Sequence, residues 1–433
     1  MDFNKLKIDS SRAICEYFDF FKNNTLDFQT AVSLGGFATL SDISYGFSKE
    51  VSLDWTLFLT SILKKTNLIY LIALETIDKK MKEIFKEYLK SKNLDIFTEF
   101  KKVISELKIY SNQTNFFYFV VQGLHCDEMY SFGNLTIGNF NQKGLKLSFS
   151  KKINKNIKLV ENERKKNGTF NPEDIFLVEL KKTIKKYKDK LVIEISNPGD
   201  PLIAKEKSKK DAEEFINQII FIAHISMPYK FHIQLTADNS KQSIEPLCLN
   251  YQAMSTSALN NEIFYKINFN LSENNTDNPS NIGSKFRDLC FPILTTEFKN
   301  ELLDKLRTSI NWYSASIKSE SMNESFLFCA IGMEALLTTG RDSITKVLSE
   351  NTAFLIGKKD IESRKQIYST MCNLYAHRSG IAHGGNINIE TKDLKQIRYY
   401  LAMCIIKIII KIKNNEINSN QDLITFFENQ KFG

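Results

Sequence analysis

Histidine is scarce in this chain: 433 residues carry five. Imidazole chemistry therefore has few places to sit. The seven cysteines (Cys15, Cys126, Cys248, Cys290, Cys329, Cys372 and Cys404) are odd in number, scattered, and never spaced as C-x-x-C. That excludes a disulfide framework and a zinc knuckle, and a reducing cytoplasm fits best. His125 adjoins Cys126, and His224 lies eight residues before His232, but no third or fourth ligand follows at a recognisable interval. No metal and no cofactor are expected. The chain lacks G-x-x-x-x-G-K-[ST], since Gly35-Gly36 alone make no phosphate loop, and it lacks seryl-triad and nucleotidyltransferase signatures. The N-terminus, MDFNKLKIDSSRAICEYF, has early acids and no apolar stretch of signal-peptide type. The most apolar later run, Leu401–Ile412, is interrupted by Lys407 and Lys411, so no membrane span is expected.

What is present is a lysine-rich globular chain with 42% hydrophobic residues, enough for more than one core. The net charge is +8, and Lys151 to Lys190 alone holds thirteen Lys/Arg against six Asp/Glu. That stretch reads either as a landing strip for RNA or DNA phosphates or as a solvated helix face. No arginine cluster or aromatic interleaving accompanies its lysines, which favours the solvated face.

Texture divides the chain. Residues 1–110 read as largely helical, from Trp55–Leu74 and the periodic runs that follow to Tyr110. Residues 111–270 read as α+β. The segments FFYFVVQGLHCDEMYSFGNLTIGNF, LKLSFS, LVIEIS and FHIQLTAD are β-branched and aromatic runs punctuated by glycine and asparagine, as strands and hairpins are. A helix over Lys205–Ala223 begins charged and ends apolar, as one packed on a sheet would. LSENNTDNPSNIGS, residues 271–284, reads as a linker or exposed loop. From 285 to 433 the pattern is helical. Leu302, Leu306, Ile310, Tyr313 and Ile317 mark one amphipathic helix. The capping-box spacing Ser321-Met-Asn-Glu324 opens a second, which stops before Gly340. A third region covers Asp342–Gly357 and Asp360–Arg378. A last helix follows Leu394, Ile397, Leu401, Ile405, Ile408 and Ile412. The fold class is α+β, with a mixed N-terminal region followed by an all-α helical bundle.

Two of the five histidines fall in LYAHRSGIAHGG, Leu374–Gly385, on either side of Arg378. Arginine is the preferred fork for a phosphodiester, and a neutral histidine removes a proton from a hydroxyl near pH 7. The pair suits RNA, whose 2′-OH is an internal nucleophile, so neither metal nor cofactor is needed. On a continuous helix, however, Arg378 and His383 point about 140° apart. Either Gly380 and Gly384-Gly385 end or distort the helix, or a second copy of the motif completes the site across a dimer. An isolated R-x4-H is also compatible with capping or packing.

Residues 296–414 resemble the HEPN superfamily. The succession AIGMEALL, LYAHRSGIAHGG and a long terminal helix is similar to its ApeA-like branch, found in bacterial antiphage defence proteins. The resemblance implies a dimerising bundle of four or five helices and a metal-independent ribonuclease with Arg378 and His383 as catalytic residues. It also implies a toxic effector of abortive infection or of a toxin–antitoxin system, with a phage-derived trigger or an antitoxin as partner. Inactive scaffold members keep a silent dimerisation module open. Glu334, the one charged residue in Phe326–Leu337, needs a partner if buried, and Arg378 is the candidate. Ser379 either donates to phosphate or caps the helix end. His377 reads as a half-exposed histidine near a helix C-terminus, with a protonic role as the alternative. Tyr375 reads as a core or interface aromatic. The N-terminal region, which carries no catalytic signature, is where restraint of the nuclease is expected.

Overall fold

The computed structural model describes residues 10–27, 30, 45–90, 94–141, 144–145, 149, 151, 187, 189–226, 233–235, 247–249, 254–255, 269–270, 282–294, 300–338, 343–358, 360–382 and 388–432. Most of Lys151–Lys190 and residues 271–281 of the polar loop lie outside them.

Side chains that satisfy the first free N–H groups start the N-terminal helices. Ser10 caps α1 (Ser11–Asn23), Ser48 caps α2 (Lys49–Lys65) and Asp95 caps α4 (Ile96–Ser111); α3 (Leu74–Lys90) lies between the last two. Strands β1 (Leu26–Asp27) and β2 (Tyr45–Gly46) pair antiparallel. These helices close over an aromatic core in which Phe21 meets Trp55 edge-on at 4.8 Å, and the indole N–H of Trp55 donates to Asp78 at 2.7 Å.

The sheet is built around β3 (Thr114–Gln122), whose run FFYFVV is buried almost throughout because both faces are covered: Phe117, Phe119 and Val121 lie in the main core, and Tyr118 on the other face meets Phe149 edge-on at 5.3 Å. β4 (Leu124–His125), β5 (Tyr130–Phe132), β6 (Leu135–Asn139) and β7 (Leu191–Pro198) follow. After the helix α5 (Pro201–Ser226) come β8 (Gln234–Leu235), β9 (Leu247–Leu249), β10 (Met254–Ser255) and β11 (Phe269–Asn270). The order is β10-β9-β3-β7-β6-β5, antiparallel throughout, with β8 also on β3, while β11 and β4 form a separate parallel pair. In the β3–β7 register Phe119 faces Ile193, and the buried Asn115 faces the buried Asn197. At that end Gly199, at φ 113°, passes Leu71 so closely that a Cβ would stand 2.9 Å from its carbonyl oxygen, and Asp200 N–H donates to the same oxygen. Only glycine takes this conformation without strain, and it docks the N-terminal helices on the sheet.

Of the expected strand LKLSFS, the described residues Leu145 and Phe149 are helical and buried. Their spacing of four fits a helix as well as the alternation of the run fits a strand.

Proline at the first position, with Asp200 accepting from the Leu202 N–H, starts α5 four residues earlier than expected. Its second half is buried nearly all round, from Phe215 to Ala223, because one side lies on the sheet and the other meets the C-terminal helices. Ser314 donates to the Asn217 carbonyl at 2.7 Å across this seam. A single hydrophobic core therefore runs from the sheet through α5 into the C-terminal half, and the N-terminal helices hold a second core.

Beyond α6 (Ile282–Leu294) come α7 (Glu301–Lys318), α8 (Met322–Leu337), α9 (Ile344–Ile356), α10 (Ile361–Ala382), α11 (Thr391–Lys413) and α12 (Asn420–Phe432). Ser321 caps α8 as its spacing indicated, although the Glu324 carboxylate turns to Ser319 and not back to the cap backbone. Helices α7 and α8 approach closely at Gly332, where an added Cβ would meet Leu401 at 2.8 Å and Trp312 at 3.3 Å. Ser309 bridges them by donating to the Gly332 carbonyl at 2.9 Å. Helix α12 was not anticipated, and α10 does not break at Gly380 but runs on to Ala382.

Candidate functional site

Asp360 accepts from the Ser363 N–H and starts α10. Of its 22 residues, Met371, Leu374 and Tyr375 are the buried ones, a short stripe at intervals of three and four that faces α8 and α9. Arg378 continues that stripe by one turn. Its side chain is 28% exposed and reaches Glu334, 21% exposed, on α8.

The pairing is specific. Arg378 Nε donates to Glu334 Oε1 at 2.8 Å, and Nη2 approaches Oε2 at 3.4 Å. The Tyr375 hydroxyl donates to the same Oε1 at 2.9 Å, and the Arg378 guanidinium stands 5.7 Å from the centre of the Tyr375 ring. Burial, and after it the Glu334 carboxylate, pushes the Tyr375 phenol up to about 12, so it stays protonated and remains a donor at neutral pH. Glu334 thus has the partner its apolar helix demanded, and Tyr375 is a buried aromatic whose hydroxyl joins the charged pair.

The other residues singled out in the sequence divide. Ser379 is exposed on the next face of α10. His377 is half-buried, edge-on to Phe326 at 6.3 Å, and stands outside the Glu334–Tyr375–Arg378 group. His383 follows Ala382, the last residue of α10, and lies outside the described residues, as do Gly384 and Gly385. His125 is exposed and pairs with Asp127 at 2.8 Å. Among the described residues no three His, Cys, Asp or Glu side chains gather as metal ligands, and no helix is long and apolar enough to cross a membrane.

Sequence reasoning missed a second polar group. His224, near the end of α5, meets the Tyr313 hydroxyl on α7 at 2.7 Å. Burial first, and then the positive charge of Arg398, lowers the imidazole to about 4. From α11, Arg398 donates to Ser316 Oγ at 2.9 Å and to its carbonyl at 2.5 Å, and Cys329 Sγ lies 3.1 Å from the same Oγ. No local signal links residues 89 apart; the hint was a histidine inside an all-apolar helix end.

Comparison with protein-family models, curated proteins and solved structures finds no match to this chain.

Proposed function

We propose that this chain is a metal-independent endoribonuclease of HEPN type, with Arg378 as phosphate fork and His383 as proton carrier. The observation that supports the reading most is the Glu334–Tyr375–Arg378 group. An arginine is held at the end of a helix by a carboxylate from the neighbouring helix, five residues before a histidine, in a chain that has few histidines. In the reaction His383 takes the 2′-OH proton, O2′ attacks phosphorus, and protonated His383 gives a proton to the departing 5′-oxygen as the P–O5′ bond breaks. The products are a 2′,3′-cyclic phosphate and a 5′-hydroxyl end. Arg378 offsets the charge that builds on the phosphate. The 140° divergence on an ideal helix favours two copies of the motif meeting in a homodimer. The N-terminal core limits the activity at native levels in a cytoplasmic effector of antiphage or toxin–antitoxin type, released further by a phage-derived trigger or held by an antitoxin, and the overproduced or purified full-length chain retains measurable cleavage.

A second reading has its own observation. Glu334 already neutralises Arg378 across α8 and α10, which is what a helix clamp in a silent dimerisation or scaffold module would need. Induction of wild type and Arg378→Ala in a bacterial host separates the two. The ribonuclease predicts growth arrest and degraded total RNA with wild type alone. Intact RNA with both proteins, at equal expression, supports the scaffold.

A further inference from the structure

Arg378 meets Glu334 side-on, through Nε and Nη2. A guanidinium carries five N–H groups in one plane, and this pairing uses one from each of those nitrogens. Both hydrogens of Nη1 and the second of Nη2 remain on the outer end of the fork. That end is the one a phosphate takes through two parallel bonds.

A side-on pair keeps its orientation only if the carboxylate does. Glu334 has rotatable bonds of its own, and the partly exposed pair leaves room for both side chains to swing. Tyr375 sits one turn before Arg378 on the same helix, 7% exposed, with a rigid ring and its hydroxyl 2.9 Å from Oε1. Oε1 is the oxygen that also accepts the Arg378 Nε–H, so the phenol anchors the acceptor on which the guanidinium turns. The ring also lies beside the guanidinium, limiting the side from which it can tilt.

We infer that Tyr375 is a positioning residue: through its bond to Glu334 it holds the outer end of the Arg378 fork toward the scissile phosphate. This rests on the ribonuclease reading, and it adds a part that the Arg–His pair does not contain.

The test is a kinetic cycle on the full-length protein with wild type, Tyr375→Phe, Arg378→Lys and the double variant. Phenylalanine keeps the ring and its packing and removes the hydroxyl. Tyr375→Phe should lower kcat for RNA cleavage about tenfold, the value of one hydrogen bond to a charged group, while KM stays within about twofold. In the Arg378→Lys background, which has no fork to orient, the same change should alter kcat by less than about twofold. A tenfold loss in both backgrounds would show Tyr375 acting through general packing and overturn the proposal.

A second readout does not depend on cleavage. The chain has eight arginines, so ¹⁵Nε-arginine labelling gives a countable spectrum in which Arg378 is assigned by its disappearance in Arg378→Lys. Its Nε–H signal should be shifted and protected from solvent exchange in wild type, and should move to the solvent-averaged position in Tyr375→Phe while the other signals persist. An unchanged Arg378 signal in Tyr375→Phe overturns the positioning role. Absence of cleavage by wild type with the predicted spectral change rejects the ribonuclease and leaves the positioning of the fork standing.

Discussion

Acid should weaken the seam between α5 and the C-terminal helices through His224. The imidazole is lowered to about 4 by burial and then by Arg398, whereas an unfolded histidine titrates near ~6.5. The sign follows from proton uptake. Between these values the unfolded chain binds a proton that the folded chain refuses, so stability is complete above about 6.5 and falls as the pH drops toward about 4. The gap between about 6.5 and about 4 corresponds to about 3 kcal/mol over the whole window, and because the ring keeps some contact with solvent we expect about 2 kcal/mol by pH 4.5. Carboxylates elsewhere titrate in the same range, so the quantity to read is a difference between variants. His224→Phe keeps a ring opposite Tyr313 but cannot titrate. It should be less stable than wild type at pH 7.5 by about 1–2 kcal/mol, because the buried Tyr313 hydroxyl loses its partner. From pH 7.5 to 4.5 it should then lose about 2 kcal/mol less than wild type does. Urea unfolding followed by near-ultraviolet circular dichroism at both pH values measures this. Equal losses in the two proteins would refute the assignment of a neutral, buried His224.

Other outcomes follow from the packing and the site. Gly332→Val should destabilise the protein by about 2–3 kcal/mol, since its side chain would press on Leu401 and Trp312; Gly332→Ala should stay within about 1 kcal/mol of wild type, as a gain in helix propensity offsets part of the clash. Chemical denaturation of both variants checks the difference, and a stabilised valine variant would contradict the close approach of α7 and α8. The proposed homodimer should sediment at about 100 kDa, twice the 50.0 kDa chain, and an active species that stays monomeric at every concentration would contradict a shared site. Glu334→Ala should cost about 1–3 kcal/mol, because it strips a partly buried guanidinium and a buried phenol of their common acceptor. A loss no larger than that of an exposed pair would place the group on a solvated surface.

Much of the helical half was legible because its signals are local. Ser321 and Glu324 announce α8, and a lone glutamate inside FLFCAIGMEALL demands a cation, which the structure supplies as Arg378. Other features depend on what an element packs against. The tail NQDLITFFENQKF buries Leu423 and Phe427 alone among its described core positions, too short a stripe to read as α12. LKLSFS alternates like a strand, yet its described residues Leu145 and Phe149 are helical, and a spacing of four fits a helix too. Gly380 suggested a break, but the cost of one glycine inside a helix, about 1 kcal/mol, is small beside the packing of the rest of α10. The bond from Tyr375 to Glu334 was out of reach for a similar reason: burial was readable from its place in the stripe, while the direction of its hydroxyl depends on α8, 41 residues away.

The central claim is tested most directly by incubating purified full-length protein with single-stranded RNA in excess EDTA and identifying the product ends. The account predicts cleavage that leaves 2′,3′-cyclic phosphate and 5′-hydroxyl ends, no action on DNA, and a loss of on the order of a hundredfold in Arg378→Ala and in His383→Ala with unchanged circular dichroism. Undiminished cleavage by Arg378→Ala, or products with 5′-phosphate and 3′-hydroxyl ends formed only with magnesium, would contradict it.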